Sequence, residues 1–354
     1  MKKDMKKYSG PFLTGDGFIQ AEINVEDDEI KDLEEGGDAG KKATIIPSFF
    51  DSHTHLADSV VDEPPVGTIE EIVGPGGLKH RKLAEASEKE LVNAMRDYIS
   101  EMPSFGVSHF IDFREGGIDG IRLLQKAVDS LEEDIKHGIM ARPRERKYDE
   151  KEMDDLLSSS DGIGLSAYRD WDGSQLLKVV DRIKAEDKPL AMHCSEDVRE
   201  PIGRVLDLRV HHLVHMIEAD RSDLERVAEE DVPIVICPRS NMFFGKMPDI
   251  PLMVESGVSL CLGTDNAMVT NSNIFSEMET AYRVARMKGG VPPIEILKMC
   301  TLNPRKKLKL DGFNNGIDRF LILEHKKGDP AFNVVVNSSQ KDIIKKVWCE
   351  DGRV

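Results

Sequence analysis

Past residue 100 the chain repeats one alternation: a short β-branched run ends in polar residues or glycine, and an amphipathic stretch follows. With one earlier segment, the strand-like runs cover residues 43–50, 107–113, 137–142, 162–167, 189–193, 209–215, 233–237 and 258–263. Helix signals lie between them. Ser87-x-x-Glu90 and Ser222-x-x-Glu225 read as capping boxes, in which a hydroxyl and a carboxylate satisfy the first free N–H groups of a helix. Gly173-Ser174 opens a third helix through Leu176, Leu177, Val179, Val180 and Ile183, which recur at the helical period. Strands alternating with helices in this way predict an α/β fold, a (β/α)8 barrel of the TIM type.

The two ends read differently. Residues 18–25 alternate, Glu26-Asp27-Asp28 makes a turn, and Gly36-Gly37-Asp38-Ala39-Gly40 makes another. Residues 320–323, 332–336 and 343–347 are also strand-like. Neither end can bury a face alone, so the two combine into a small β-sandwich-like domain beside the barrel. The expected units are 1–46 and 316–354 for that domain and 47–315 for the barrel. The acidic run 32–35 reads as a solvated edge.

A formal charge of -17 disfavours nucleic acid as a partner, because phosphate-binding surfaces are basic. A small anionic substrate stays compatible with a local cationic pocket. Five scattered cysteines without a Cys-x-x-Cys argue for a reducing compartment, hence a cytoplasmic protein without a disulfide framework. The N-terminus is basic but no apolar stretch follows, unlike a secretory signal. Apolar runs such as 232–237 are too short to span a bilayer. The expected partner is a small molecule, with no nucleic acid and no membrane; a homo-oligomer stays open.

In such a barrel, chemistry gathers at the carboxyl ends of the strands. The first run leads into Asp51-Ser52-His53-Thr54-His55. Alternate strand residues point to one side, so His53 and His55 converge. The fifth run ends at His193, the sixth in His211-His212-Leu213-Val214-His215, and Asp265 follows the eighth. One histidine closing a strand is more often an ordinary polar residue; several in register are not. Three imidazoles and a carboxylate suit one divalent metal, Zn2+ first and Fe2+ second, with a position left for water.

Several phrases then fall in a recognisable order: Ile46-Pro47-Ser48-Phe49-Phe50-Asp51-Ser52-His53-Thr54-His55, His193-Cys194-Ser195-Glu196, Cys237-Pro238-Arg239-Ser240-Asn241, Leu262-Gly263-Thr264-Asp265-Asn266 and Thr301-Leu302-Asn303-Pro304. With the stretch 328–336, which looks like a closing strand of the β domain, they resemble the amidohydrolase superfamily over nearly the whole chain. The similarity is to its mononuclear, deaminase-like branch, which holds cytosine deaminases, adenosine-type deaminases and chlorohydrolases. It implies that His53, His55, His193 and Asp265 ligate the metal and that Glu196 shuttles protons. The two-metal branches use a carboxylated lysine on strand four; residues 162–169 contain no lysine. For strand six, the spacing to Cys237-Pro238 fits His215, whereas a His-x-x-His variant would choose His212. Strand parity puts His211 and His215 on one face and His212 on the other, and favours His215.

The expected activity is that of an aminohydrolase, a deaminase acting on an sp2 C–N bond of a nucleobase or nucleoside-like heterocycle. Metal-activated water attacks, Asp265 takes its proton, His215 orients it, and Glu196 protonates the ring nitrogen and the departing amine. An amide, cyclic amidine or halide hydrolase on the same site is the alternative. A non-catalytic metal-binding or scaffold protein is a third reading, against which the intact ligands argue. Arg114, Arg142, Arg169 and Arg239 sit at or just past strand ends. Arginines pair with carboxylates and phosphates, so the substrate carries an anionic arm, or else these residues pair with acids such as Glu115 and Asp170. Ser240 and Asn241 line the pocket in the family, with a helix cap as the plainer reading. His80 and Arg81, near Gly74-Pro75-Gly76-Gly77, belong to a long segment that reads as a flap.

Overall fold

The computed structural model describes residues 5–74, 76–310 and 316–349. Residues 1–4 of the basic N-terminus, Pro75 of the flap and the expected boundary at 315 lie outside them. Numbered in chain order, the strands are β1 (Lys6–Thr14), β2 (Gly17–Glu26), β3 (Glu29–Glu35), β4 (Lys41–Pro47), β5 (Phe49–His55), β6 (Val107–Arg114), β7 (Lys136–Ala141), β8 (Gly162–Leu165), β9 (Leu190–Cys194), β10 (His212–His215), β11 (Ile234–Ile236), β12 (Leu260–Leu262), β13 (Asp265–Asn266), β14 (Arg319–Glu324) and β15 (Ile343–Trp348). No described helix is long and apolar enough to cross a membrane.

The ends of the chain do build one small domain. Its sheet closes on itself in the order β1-β2-β3-β15-β14-β4, around Phe12, Ile23, Ile45, Phe320 and Ile322. It is a barrel rather than two facing sheets, and closure removes the edges that either end would expose alone. Residues 332–336, expected as a strand, are helical instead. Asp329 accepts the Phe332 N–H at 2.6 Å, Pro330 occupies the first turn, and the turn runs on into Asn333–Asn337. An Asp-Pro start of this kind favours a helix, here over the β preference of three valines.

The large sheet runs β12-β11-β10-β9-β8-β7-β6-β5-β13, all parallel. Because β12 pairs with β11 and β13 with β5, these two pieces are one eighth strand, and the (β/α)8 ring closes. The strand breaks at Gly263-Thr264. A Cβ at Gly263 would lie 2.8 Å from the His53 backbone and Cβ, so only glycine lets the chain pass so near this histidine. Phe50, Phe113, Met140, Val214 and Cys261 fill the barrel interior, and helices such as Glu88–Glu101, Gly173–Ala185 and Ile274–Met287 cover the outside.

Local signals held unevenly. The Ser87 box forms: Glu90 accepts the Ser87 N–H at 2.8 Å and donates its own N–H to Ser87 Oγ at 3.3 Å. The second box lies two residues earlier than expected, on Asp220 and Asp223, because a carboxylate there accepts both the Asp223 N–H and the Ser222 hydroxyl. The run 43–50 is divided between β4 and β5, with the break at Ser48, whose N–H donates to the Arg319 carbonyl.

Candidate active site

The carboxyl ends of β5, β9, β10 and β13 meet at one point. His53 Nε2 lies 3.2 Å and His55 Nε2 3.6 Å from the same oxygen, Asp265 Oδ1. His55 Nε2 is 3.3 Å from His193 Nε2. The His215 ring stands 5.4 Å from that of His193 and 6.1 Å from that of His53. Ligand atoms within 4.8 Å of one another form overlapping groups: His53, His193 and His215; His53, His55 and Asp265; and His215, Cys237 and Asp265.

The chemistry of this donor set fits a divalent cation. His53 Nε2, which faces the cluster, is buried without a hydrogen-bond partner among the described residues, a cost of about 1–3 kcal/mol that a bound cation would relieve. Burial lowers the His53 pKa, and lowers those of His55 and His193 far below the ordinary value, with Lys79 adding to the effect on His55 and His53 to that on His193. Neutral imidazole is the form that binds metal. Burial acts to raise the Asp265 carboxyl, but His53, His215 and the Ser240 hydroxyl hold it well below the usual carboxylate range.

A sequence model of the Amidohydrolase family matches residues 44–313. The chain belongs to the amidohydrolase family. It is 30% identical over 365 residues to a putative aminohydrolase of Methanothermobacter thermautotrophicus, covering 95% of this chain and 94% of that protein. A 5'-deoxyadenosine deaminase of Methanothrix thermoacetophila is 24% identical, over 83% of this chain and 75% of its own length. The solved adenosine deaminase from Xanthomonas campestris with bound zinc has the same fold, with a TM-score of 0.71 at 13% identity over 97% and 91% of the two chains.

Strand geometry alone does not place every side chain of this amidohydrolase site. His215, not His212, joins the cluster, yet for a different reason than parity. His212 shares the interior face with Val214; its ring lies 5.8 Å from Phe113 and its Nδ1 2.9 Å from His211 Nδ1. His215 turns inward because its φ is +74°, and Asp265 likewise has φ +62°. Both residues are braced from behind. Asn241 Nδ2 is 3.2 Å from His215 Nδ1, and Ser240 Oγ donates to Asp265 Oδ2 at 2.5 Å. Asp51 accepts the Thr264 N–H at 2.9 Å and its hydroxyl at 2.6 Å, which pins the peptide just before Asp265. Glu196 Oε2 lies 3.6 Å from His215 Nε2. No helix starts there, since the next begins at Ile202; instead Glu200 accepts the Ser195 N–H at 3.1 Å and fixes the bend. Burial, with Asp265 nearby, raises the Glu196 pKa against the pull of His215.

A cavity of about 650 Å³ opens over the cluster, lined by His55, His193, Glu196, His215 and Asp265 among others, a volume ordinary for a small-molecule site. Of the expected arginines, Arg142 and Arg169 line it. Arg142 donates to Glu115 Oε1 at 2.8 Å, and its Nη2 is 3.4 Å from His193 Nδ1. The structure does not bring Arg114 and Arg239 to the cavity. Arg114 is buried against Asp112 and the Glu115 carbonyl, and Arg239 is held by Asn271, Asn273 and Glu277. Ser240 and Asn241 act through Asp265 and His215 rather than lining the space. His80 lines it; Arg81 does not, and donates to the Gly76 carbonyl at 3.0 Å. Sequence reasoning missed Lys79, Arg144 and Arg146 on the cavity wall. The run Arg142-Pro143-Arg144-Glu145-Arg146 directly after β7 was a visible signal for two of them.

Proposed function

We propose that this amidohydrolase is a metal-dependent aminohydrolase that deaminates a nucleobase or nucleoside-like heterocycle held in the cavity. The observation that carries the reading is the Glu196 carboxyl 3.6 Å from His215 Nε2, on the rim of a cluster of imidazoles and one ionised carboxylate. His53, His55, His193 and Asp265 would hold one cation, zinc by the nitrogen and oxygen donor set. Such a cation, when bound, lowers the pKa of water so that hydroxide is available at neutral pH. Asp265, ionised, accepts the water's proton. His215, tethered by Asn241, orients the attacking oxygen toward the sp2 carbon. Glu196, its pKa raised by burial, delivers a proton to the ring nitrogen, recovers one from the adduct's hydroxyl as the carbonyl forms and passes it to the departing amine, which leaves as ammonia; the water's proton on Asp265 then restores that of Glu196. Without that proton an amide anion would have to leave. The names of the relatives support deamination over amide or halide hydrolysis.

The test is ammonia release by the zinc-loaded protein from adenosine, 5'-deoxyadenosine, guanine and cytosine. At least one should be turned over. Glu196→Gln should retain zinc yet lose about 10²–10⁴ in kcat. Silence across the panel, or an undiminished Glu196→Gln, would overturn the reading.

A further inference from the structure

We infer that Lys79 is a positioning residue that anchors the stretches 61–74 and 76–86 as one wall of the cavity and fixes the Glu115–Arg142 pair beside His193. The consequence for catalysis rests on the deaminase reading; the anchoring rests on geometry alone. Two short helices make the wall, Ile69–Val73 and Leu78–Glu85. A surface helix normally attaches through an apolar stripe. Here the single buried residue of the first helix is Ile72, and that of the second is Lys79. The second helix is therefore fixed by a buried ammonium, with the half-buried Leu83 as its apolar contact with the core.

The Lys79 side chain is 6% exposed, with Nζ 2.9 Å from Asp58 Oδ2 and 3.1 Å from Glu115 Oε2. Asp58 lies in the turn Leu56–Val60, which directly follows His55. Glu115 directly follows β6 and also takes the Arg142 guanidinium at 2.8 Å. Arg142 directly follows β7 and reaches within 3.4 Å of His193 Nδ1. One ammonium thus joins the wall to the ends of three consecutive barrel strands. Lys79 and Arg142 face Asp58 and Glu115 in this cluster. Without Lys79, Asp58 would lose its ion-pair partner among the described residues and Glu115 one of its two, and an uncompensated buried charge is strongly unfavourable. The local relief is for the wall to lift and admit water, which frees Glu115 and lets Arg142 drift from His193.

Hydrogen exchange of the full zinc-loaded chain tests this. In Lys79→Met, which keeps the aliphatic stem, peptides from 61–86 should exchange at least tenfold faster than in the wild type, while peptides covering β6 and β9 keep their protection. Lys79→Arg should recover most of the protection, and Asp58→Asn, a milder change, should loosen the same segment less. On whichever panel compound is deaminated, Lys79→Met should raise KM tenfold or more and lower kcat less than threefold. Unchanged exchange in 61–86, or an equal loss of protection across the barrel, overturns the inference; so does a fall confined to kcat. If no compound is turned over, the deaminase reading fails, and the exchange result still decides the role of Lys79.

Discussion

The two sides of the cavity are built on opposite principles. The floor is carried by strand ends, and its histidines and Asp265 are aimed by backbone geometry and by hydrogen bonds from Ser240, Asn241 and Thr264. The wall is carried by connecting segments and is held by paired charges, with Lys79 at their centre. Strands deliver atoms to fixed points, which a metal site needs. Loops are free to vary their side chains, which selection among substrates needs.

If the floor is a single unit, Asp265→Ala should have the largest effect of any single change. Zinc affinity should fall by on the order of 10²-fold or more, with deamination lost, as read by metal analysis of the dialysed protein. Retention of stoichiometric zinc would break the comparison. A second test lies in the bracing behind the floor. Burial raises the Glu277 carboxyl from 4.5 to about 8, and that of Asp51 to about 7. Between pH 4.5 and about 8 the folded state keeps the Glu277 proton that the unfolded chain has lost. Stability therefore declines as pH rises through that interval, by at most about 5 kcal/mol from this group. Glu277→Gln should flatten the decline in thermal melts; a profile as steep as the wild type's would remove Glu277 from the account. The smallest effect belongs to the wall. Arg169 is half-exposed, and its guanidinium lies 3.9 Å from the Asp197 carboxylate. Arg169→Ala should change stability by no more than about 0.5 kcal/mol. It should raise KM only for substrates bearing a carboxylate or phosphate arm, and equal KM values for charged and neutral substrates would end the idea of an anionic arm.

The barrel was legible from its alternation, and His53, His55 and His193 from strand ends with a period of two; Asp265 was legible only from its place after the eighth strand, since its positive φ takes it out of that period. The structure brings His215 rather than His212 into the cluster, but not by strand parity, since the positive φ of His215 overrides alternation. Arg114 looked equivalent to Arg142 by its spacing after a strand. It differs because Asp112 and the neighbouring Glu115 carbonyl draw it away from the cavity. Residues 332–336 were misread because the Asp329-Pro330 start came before a β-favouring run.

Covalent order and hydrophobic period were enough to specify an α/β barrel, a small domain made from both ends and the donor set of a metal site, since all three depend on local spacing. Tertiary contacts alone chose which charges meet. Lys79 finds Asp58 and Glu115, and Thr264 finds Asp51, across gaps that no period spans. Such pairings follow from where folded elements come to rest and from the high cost of leaving a charge buried without its counterpart.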